Sequence, residues 1–215
     1  MNARTRPVPV QFDDPVQQRE AATLGMWVFL ATEILFFGVL FAGYTYCRVL
    51  FPDAFATGSR RTDMLLGTLE TAVLLTSSCA VALAVREVQL GGRRMATALL
   101  GFTAALGIAF LVMHGFEYAA EYEEGLIPAI HYTQQGVHAR GMAIFYCLYY
   151  FITGFHSLHV AIGVAVLLVM AWRTWHHAFD QDYHTPLELT ALYWHLVDIV
   201  WIFVYPLVYL VGRAA

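Results

Sequence analysis

Apolar residues run along this chain in five long blocks separated by short polar or charged breaks. A membrane-spanning helix takes about 20 mostly apolar residues, since each adds about 1.5 Å and the hydrocarbon layer is about 30 Å thick. Five segments meet that requirement: Ala22–Tyr46, Met64–Val85, Ala96–Tyr118, Met142–Trp172 and Leu187–Val211. The breaks carry turn and charge signals, namely Phe51-Pro52-Asp53 through Arg61, Gly91-Gly92-Arg93-Arg94, the Glu121–Gly125 run with Pro128, and Asp180–Pro186. The pattern predicts an all-α, polytopic transmembrane bundle of about five helices, with a polar N-terminal segment over residues 1–21 and a five-helix membrane domain over 22–215. It contains no internal repeat and no low-complexity tract.

Composition sharpens this picture. Of 215 residues 59% are hydrophobic and 13% charged, and mean hydropathy is +0.58, too apolar for one soluble domain of this length. Nucleic acid is excluded as a partner class, because the net charge is −4, lysine is absent, and the 12 basic side chains are arginines scattered between apolar blocks. The first apolar run is longer than a signal-peptide core and lacks a small-residue cleavage pattern, so the first helix is expected to remain in the mature protein. Cys47, Cys79 and Cys147 lie far apart with no C-x-x-C spacing, which argues against a zinc or dicopper thiolate site and reads as small buried apolar side chains. Arginines bias the topology towards N-in and C-out: Arg4, Arg6, Arg19, Arg86, Arg93, Arg94 and Arg173 then lie inside, against Arg48, Arg60, Arg61, Arg140 and Arg213 outside.

Ionisable residues within the spans are costly, roughly 2.5–3.5 kcal/mol each near the bilayer centre, so each must face protein, water or a partner. Glu33 falls halfway along the first span as a carboxylate without an obvious partner in its own helix. His156 and His159 fall near the middle of the fourth, and His195 and Asp198 in the inner-to-middle part of the fifth. Counting from the helix ends puts Glu33, His156, His159 and Asp198 at similar depth, which allows one shared polar cluster. Spacing by three and four residues makes Tyr149, Ile152, His156, His159 and Gly163 one stripe, and Glu188, Ala191, His195, Asp198 and Ile202 another. Both read as packing seams holding polar groups, with Asp198 positioned to accept from His195 or from a neighbouring helix. Glu70 and Glu117 read as interfacial acids, with His114 one turn before Glu117 as its candidate partner. Trp27, Trp172, Trp175, Tyr44 and Tyr46 suit an aromatic belt at the span ends.

Three chemistries fit such a seam. The groups satisfy one another and fix helix packing; or Glu33 handles protons or meets lipid headgroups; or His156, His159, His195, Glu33 and Asp198 bind a metal or haem. Against the last, helical di-iron sites bring several carboxylates together with Glu-x-x-His pairs, and no E-x-x-H occurs in any span. Mutual satisfaction of the buried groups is the preferred reading, ahead of a proton or headgroup role and of metal or haem ligation. A stand-alone membrane metalloenzyme remains the alternative of a different class.

Thr153-Gly154-Phe155-His156-Ser157-Leu158-His159-Val160, continuing to Gly163, resembles the T-G-F-H-x-L-H-V-x-x-G signature of cytochrome c oxidase subunit III. Tyr193-Trp194-His195-Leu196-Val197-Asp198-Ile199-Val200-Trp201-Ile202-Phe203 resembles that family's Y-W-H-F-V-D-x-V-W-x-F run, with Glu188 matching the acid before it. Thr32-Glu33-Ile34-Leu35-Phe36-Phe37 is similar to the S-E-V-L-F-F helix whose glutamate is attacked by carbodiimides, and Glu117-Tyr118 is similar to the family's E-Y pair. Two departures stand out. The two helices that open the long form are missing, as in the five-helix bacterial type, and Glu70 stands where the long form usually has asparagine.

The resemblance implies an accessory subunit of an aerobic haem–copper oxidase in a bacterial cytoplasmic (inner) membrane. It implies no catalytic residue, no metal and no cofactor in this chain, haem and copper in partner subunits, contact chiefly with subunit I, and bound phospholipid. Its expected roles are to stabilise the catalytic subunit and support proton uptake while dioxygen is reduced to water with proton pumping. Cytochrome c or quinol would donate the electrons. Quinol oxidase subunits and a nitric oxide reductase-associated protein share the fold and differ in partner.

Overall fold

The computed structural model describes residues 14–213 apart from 129, 134, 182 and 211. Residues 1–13 of the expected polar segment, with Arg4 and Arg6, therefore lie outside the described residues. Among the described residues, five helices are long and apolar enough to cross a membrane. They are α1 (Pro15–Leu50), α3 (Met64–Gln89), α4 (Arg93–Glu123), α5 (Ala139–Trp175) and α6 (Thr185–Tyr205), the last continued by a π-helical turn over Pro206–Leu210. A short amphipathic helix, α2 (Pro52–Arg61), links α1 to α3. The all-α polytopic bundle expected from the apolar blocks is the fold observed.

The helices overrun those blocks, and at α1 and α3 a capping side chain rather than hydropathy sets the N-terminal end. Asp14 caps α1 by accepting from the Gln17 amide at 2.7 Å, and Pro15 occupies the first helical position, where its missing N–H costs nothing. Residues 15–21, expected to be part of a polar tail, thus belong to the first helix. Asp63 caps α3 by accepting from the Leu65 and Leu66 amides. Pro52 restarts the chain as α2 within a stretch that reads as a break, and Ala54, Phe55, Gly58 and Ser59 are buried there. Pro206 cannot donate to the α6 ladder, and the backbone widens into the π-turn at that residue. The Tyr44 hydroxyl then donates to the Leu207 carbonyl at 2.9 Å. Tyr44 is consequently buried in the core rather than part of an interfacial belt, whereas Trp27, Tyr46, Trp172 and Trp175 are exposed.

α3 and α4 form a hairpin through Gly91, whose φ of +82° is the left-handed conformation glycine accepts without strain. α4 packs on α5, and α6 closes against both α5 and α3, so four helices surround one core while α1 lies along α5 and α6. After α4 the chain makes a two-residue antiparallel ladder, Leu126 opposite Tyr132 and Ile127 opposite His131. Trp194 fills the centre of the bundle and donates to Ser77 Oγ at 2.9 Å. Its ring fits because glycines face it: a Cβ at Gly107 would stand 2.7 Å from Trp194 Cη2, and one at Gly163 2.8 Å from Trp194 Cε3. Small residues that let helices close on a large ring are the packing device of membrane bundles, where no water-driven force joins apolar helices.

Candidate functional site

The buried ionisable groups form separate local sites rather than one cluster. On the α1–α5 seam, Glu33 Oε2 lies 3.1 Å from His159 Nε2, with side chains 17% and 16% exposed. His159 Nδ1 is 2.7 Å from the Phe155 carbonyl, so that nitrogen carries a proton and donates it. The contact sets a carboxylate oxygen of α1 against the second imidazole nitrogen of His159 on α5. The Phe37 ring lies against the His159 ring and the Tyr193 hydroxyl donates to the His159 carbonyl at 3.0 Å, so the imidazole is held in place. Glu33, unpartnered within its own helix, finds its partner across the seam.

His156 does not join this pair. It is fully buried one turn earlier on α5, stacked on Trp201 at 5.0 Å and edge-on to Phe110 at 5.5 Å, and neither of its nitrogens has a hydrogen-bond partner among the described residues. His195 bonds Ser78 on α3 (Nδ1 to Oγ, 2.7 Å) rather than Asp198. A fixed serine on the facing helix satisfies the ring, and both oxygens of the buried Asp198 are left without a hydrogen bond among the described residues. Glu188 also lies apart from the seam. In the first turn of α6, where the helix dipole favours an acid, it meets His184 Nε2 at 3.1 Å and accepts from Gln89 Nε2 at 3.1 Å.

Glu70 and Glu117 are inside the bundle, not at its surface. Glu70 is fully buried on α3, and His114 Nδ1 on α4 stands 3.5 Å from Glu70 Oε1 and 3.5 Å from Glu117 Oε2. The Tyr209 hydroxyl donates to Glu117 Oε2 at 2.7 Å. One turn on, Glu121, expected in an acidic loop, is a buried residue of α4 that accepts from the Tyr150 hydroxyl at 2.7 Å. Phe110, His114, Glu117 and Glu121 step by four, three and four along one face of α4, a stripe readable in the sequence. Tyr209, Tyr150 and Ser78 carry no such signal, because their roles depend on the rotation of a neighbouring helix.

Lipid-length helices that keep their acids and imidazoles turned inward define an integral membrane protein of the polytopic helical class. The family model for cytochrome c oxidase subunit III matches residues 13–213. The chain is 32% identical over 189 residues to cytochrome bo(3) ubiquinol oxidase subunit 3 of Pseudomonas aeruginosa, covering 87% of this chain and 84% of that protein. It is 29% identical over 208 residues to cytochrome c oxidase subunit 3 of Thermostichus vulcanus, covering 95% and 94%. To the Hippopotamus amphibius subunit 3 it is 33% identical over 201 residues, 91% of this chain and 71% of that one. The chain belongs to the cytochrome c oxidase subunit III family, and so is an accessory subunit of a haem–copper oxidase that associates with other oxidase subunits.

Proposed function

We propose that this chain is the redox-inert subunit III of an aerobic oxidase that reduces dioxygen to water with proton pumping. It sits beside the subunit I that holds haem and copper, stabilises it, and supports its proton uptake. The membrane is the bacterial cytoplasmic one, with the N-terminal end inside and the C-terminal end outside, following the arginine bias. The observation that carries this reading is the Glu33–His159 contact, which faces an acid and an imidazole, two proton-exchanging groups, on the rim of the bundle between α1 and α5. Phospholipid binds at two kinds of surface. Acyl chains cover exposed apolar side chains such as Leu65 of α3 and Phe102 and Phe116 of α4. An anionic headgroup fits the cavity of about 780 Å³ at the start of α4, lined by Arg93, Arg94 and His177. Cytochrome c supplies the electrons to the complex in this reading; the ubiquinol oxidase name of the Pseudomonas relative supports quinol as the second.

Purification in mild detergent tests the assignment. Haem absorbance is expected only when a larger subunit accompanies the chain, and the separated chain is expected to be colourless. Iron or copper absorbance from the separated chain would contradict a redox-inert subunit. Glu33→Ala is expected to assemble normally and to accelerate loss of oxidase activity during turnover, followed as oxygen consumption against time. A decay curve identical to wild type would remove the proton role.

A further inference from the structure

Glu70, His114 and Glu117 are the one trio of such side chains among the described residues whose ligand atoms all lie within 4.8 Å of one another. All three are at least nine-tenths buried. Both oxygens of Glu70, both nitrogens of His114 and Glu117 Oε1 have no hydrogen-bond partner among the described residues. The two 3.5 Å separations at His114 Nδ1 are long for an N–H···O bond, whose usual length is about 2.9 Å. They match the edge of a coordination tetrahedron instead, because ligands about 2.0–2.1 Å from a zinc ion stand about 3.4 Å from each other. One imidazole N–H also serves only one of the two carboxylates it faces.

Charge points the same way. Two carboxylates in apolar surroundings need compensation, and the only cationic group among the three is an imidazole. Glu117 is already oriented by the Tyr209 hydroxyl, the kind of supporting hydrogen bond that ligating carboxylates receive. A cavity of about 490 Å³ runs to Glu117 from the ends of α3 and α4, and its walls carry Asp63, Glu121 and Glu124 against one cation, Arg61. The excess of acids over that single arginine favours cations in the cavity, which supplies an entry path.

We propose that Glu70, His114 and Glu117 bind one redox-inactive divalent metal ion of the zinc type, with a water molecule at the remaining position. Two carboxylate oxygens and one imidazole nitrogen suit zinc in charge and ligand type. The ion ties α3 to α4 and carries no electron, so the expectation of a metal-free chain narrows to a chain without a redox metal. The inference stands apart from the proton role of Glu33.

Elemental analysis of the detergent-purified complex, after dialysis against metal-free buffer, tests it. Wild type is expected to hold one zinc per chain more than Glu70→Gln, with Glu33→Gln unchanged from wild type. Tyr209→Phe keeps the ring and removes only the supporting hydrogen bond, and is expected to weaken zinc binding by about 10–100-fold. Should Glu70→Gln fail to assemble, chelator-stripped wild type titrated with zinc chloride alone gives the answer through its thermal midpoint, which is expected to rise. Zinc at background in wild type with an unmoved midpoint, or a zinc content of Glu70→Gln equal to that of wild type, overturns the proposal and leaves protons as the compensation for these acids.

Discussion

At Glu33 the sequence indicates an acid at membrane depth, and spacing puts His159 on a buried stripe of another helix. What spacing does not encode is the rotation of α1 about its own axis, and that rotation decides whether Glu33 meets His156 or His159. The observed partner is His159, the member of the pair nearer the bundle rim. The same limit explains Asp198. It is three residues from His195 and on the same face, yet Ser78 stands 2.7 Å from the imidazole and takes the bond. Ser78→Ala is therefore expected to destabilise the chain by about 0.5–2 kcal/mol, the range for hydrogen bonds between membrane helices, read as a lowered thermal midpoint in detergent. Asp198→Ala leaves the His195 bond intact, so a loss as large as that of Ser78→Ala traced to His195 would contradict the assignment. Glu70 was legible as an acid near a helix end and illegible as a core residue, because hydropathy places it along the membrane normal but not around the helix.

At the scale of elements, five apolar blocks became five long helices, and the block edges missed the caps. Asp14, Asp63 and Pro15 are local chemistry that a hydropathy count passes over. α2 was hidden for a related reason: ten residues beginning with proline and ending in two arginines resemble a loop until Phe55 is seen buried against Phe145, ring centroids 5.4 Å apart. α1 has 36 residues, so it is about 54 Å long and exceeds the hydrocarbon layer. Close packing around Trp194 yields a contrast between two glycines. At Gly163 a Cβ would overlap the indole, and Gly163→Ala is expected to cost about 1–3 kcal/mol by overpacking. At Gly101 a Cβ meets nothing within 4 Å, so Gly101→Ala is expected to leave the midpoint unchanged or slightly raised. Equal midpoints for the two variants would show that the indole is not locked between α4 and α5.

For the whole molecule, the uneven burial of the helices is the main observation. α3 through α6 surround a core that includes Phe110, Tyr149, Trp194 and Trp201, while α1 buries only Leu30, Phe37 and Tyr44 fully. A helix of that kind gains little from this chain alone and depends on its surroundings for cover. Gly38 lies on the outer side of α1, where a Cβ meets nothing within 4 Å. If subunit I covers that side, Gly38→Trp is expected to preserve the thermal midpoint of the separated chain and to lower the haem that co-purifies with it. Full haem recovery would assign that side of α1 to lipid. None of this was legible beforehand, since exposed and partner-facing leucines look alike in a sequence.

The widened turn at Pro206 fixes the azimuth of everything that follows it. A regular continuation of α6 would index Tyr209 to a different angle, because one additional residue per turn offsets each later side chain around the axis. The phenol that reaches the buried acid on α4 is thus aimed by a fault in the ladder more than by its own torsions. Substitutions upstream that let the ladder close would dephase Tyr209 from Glu117 without altering either residue.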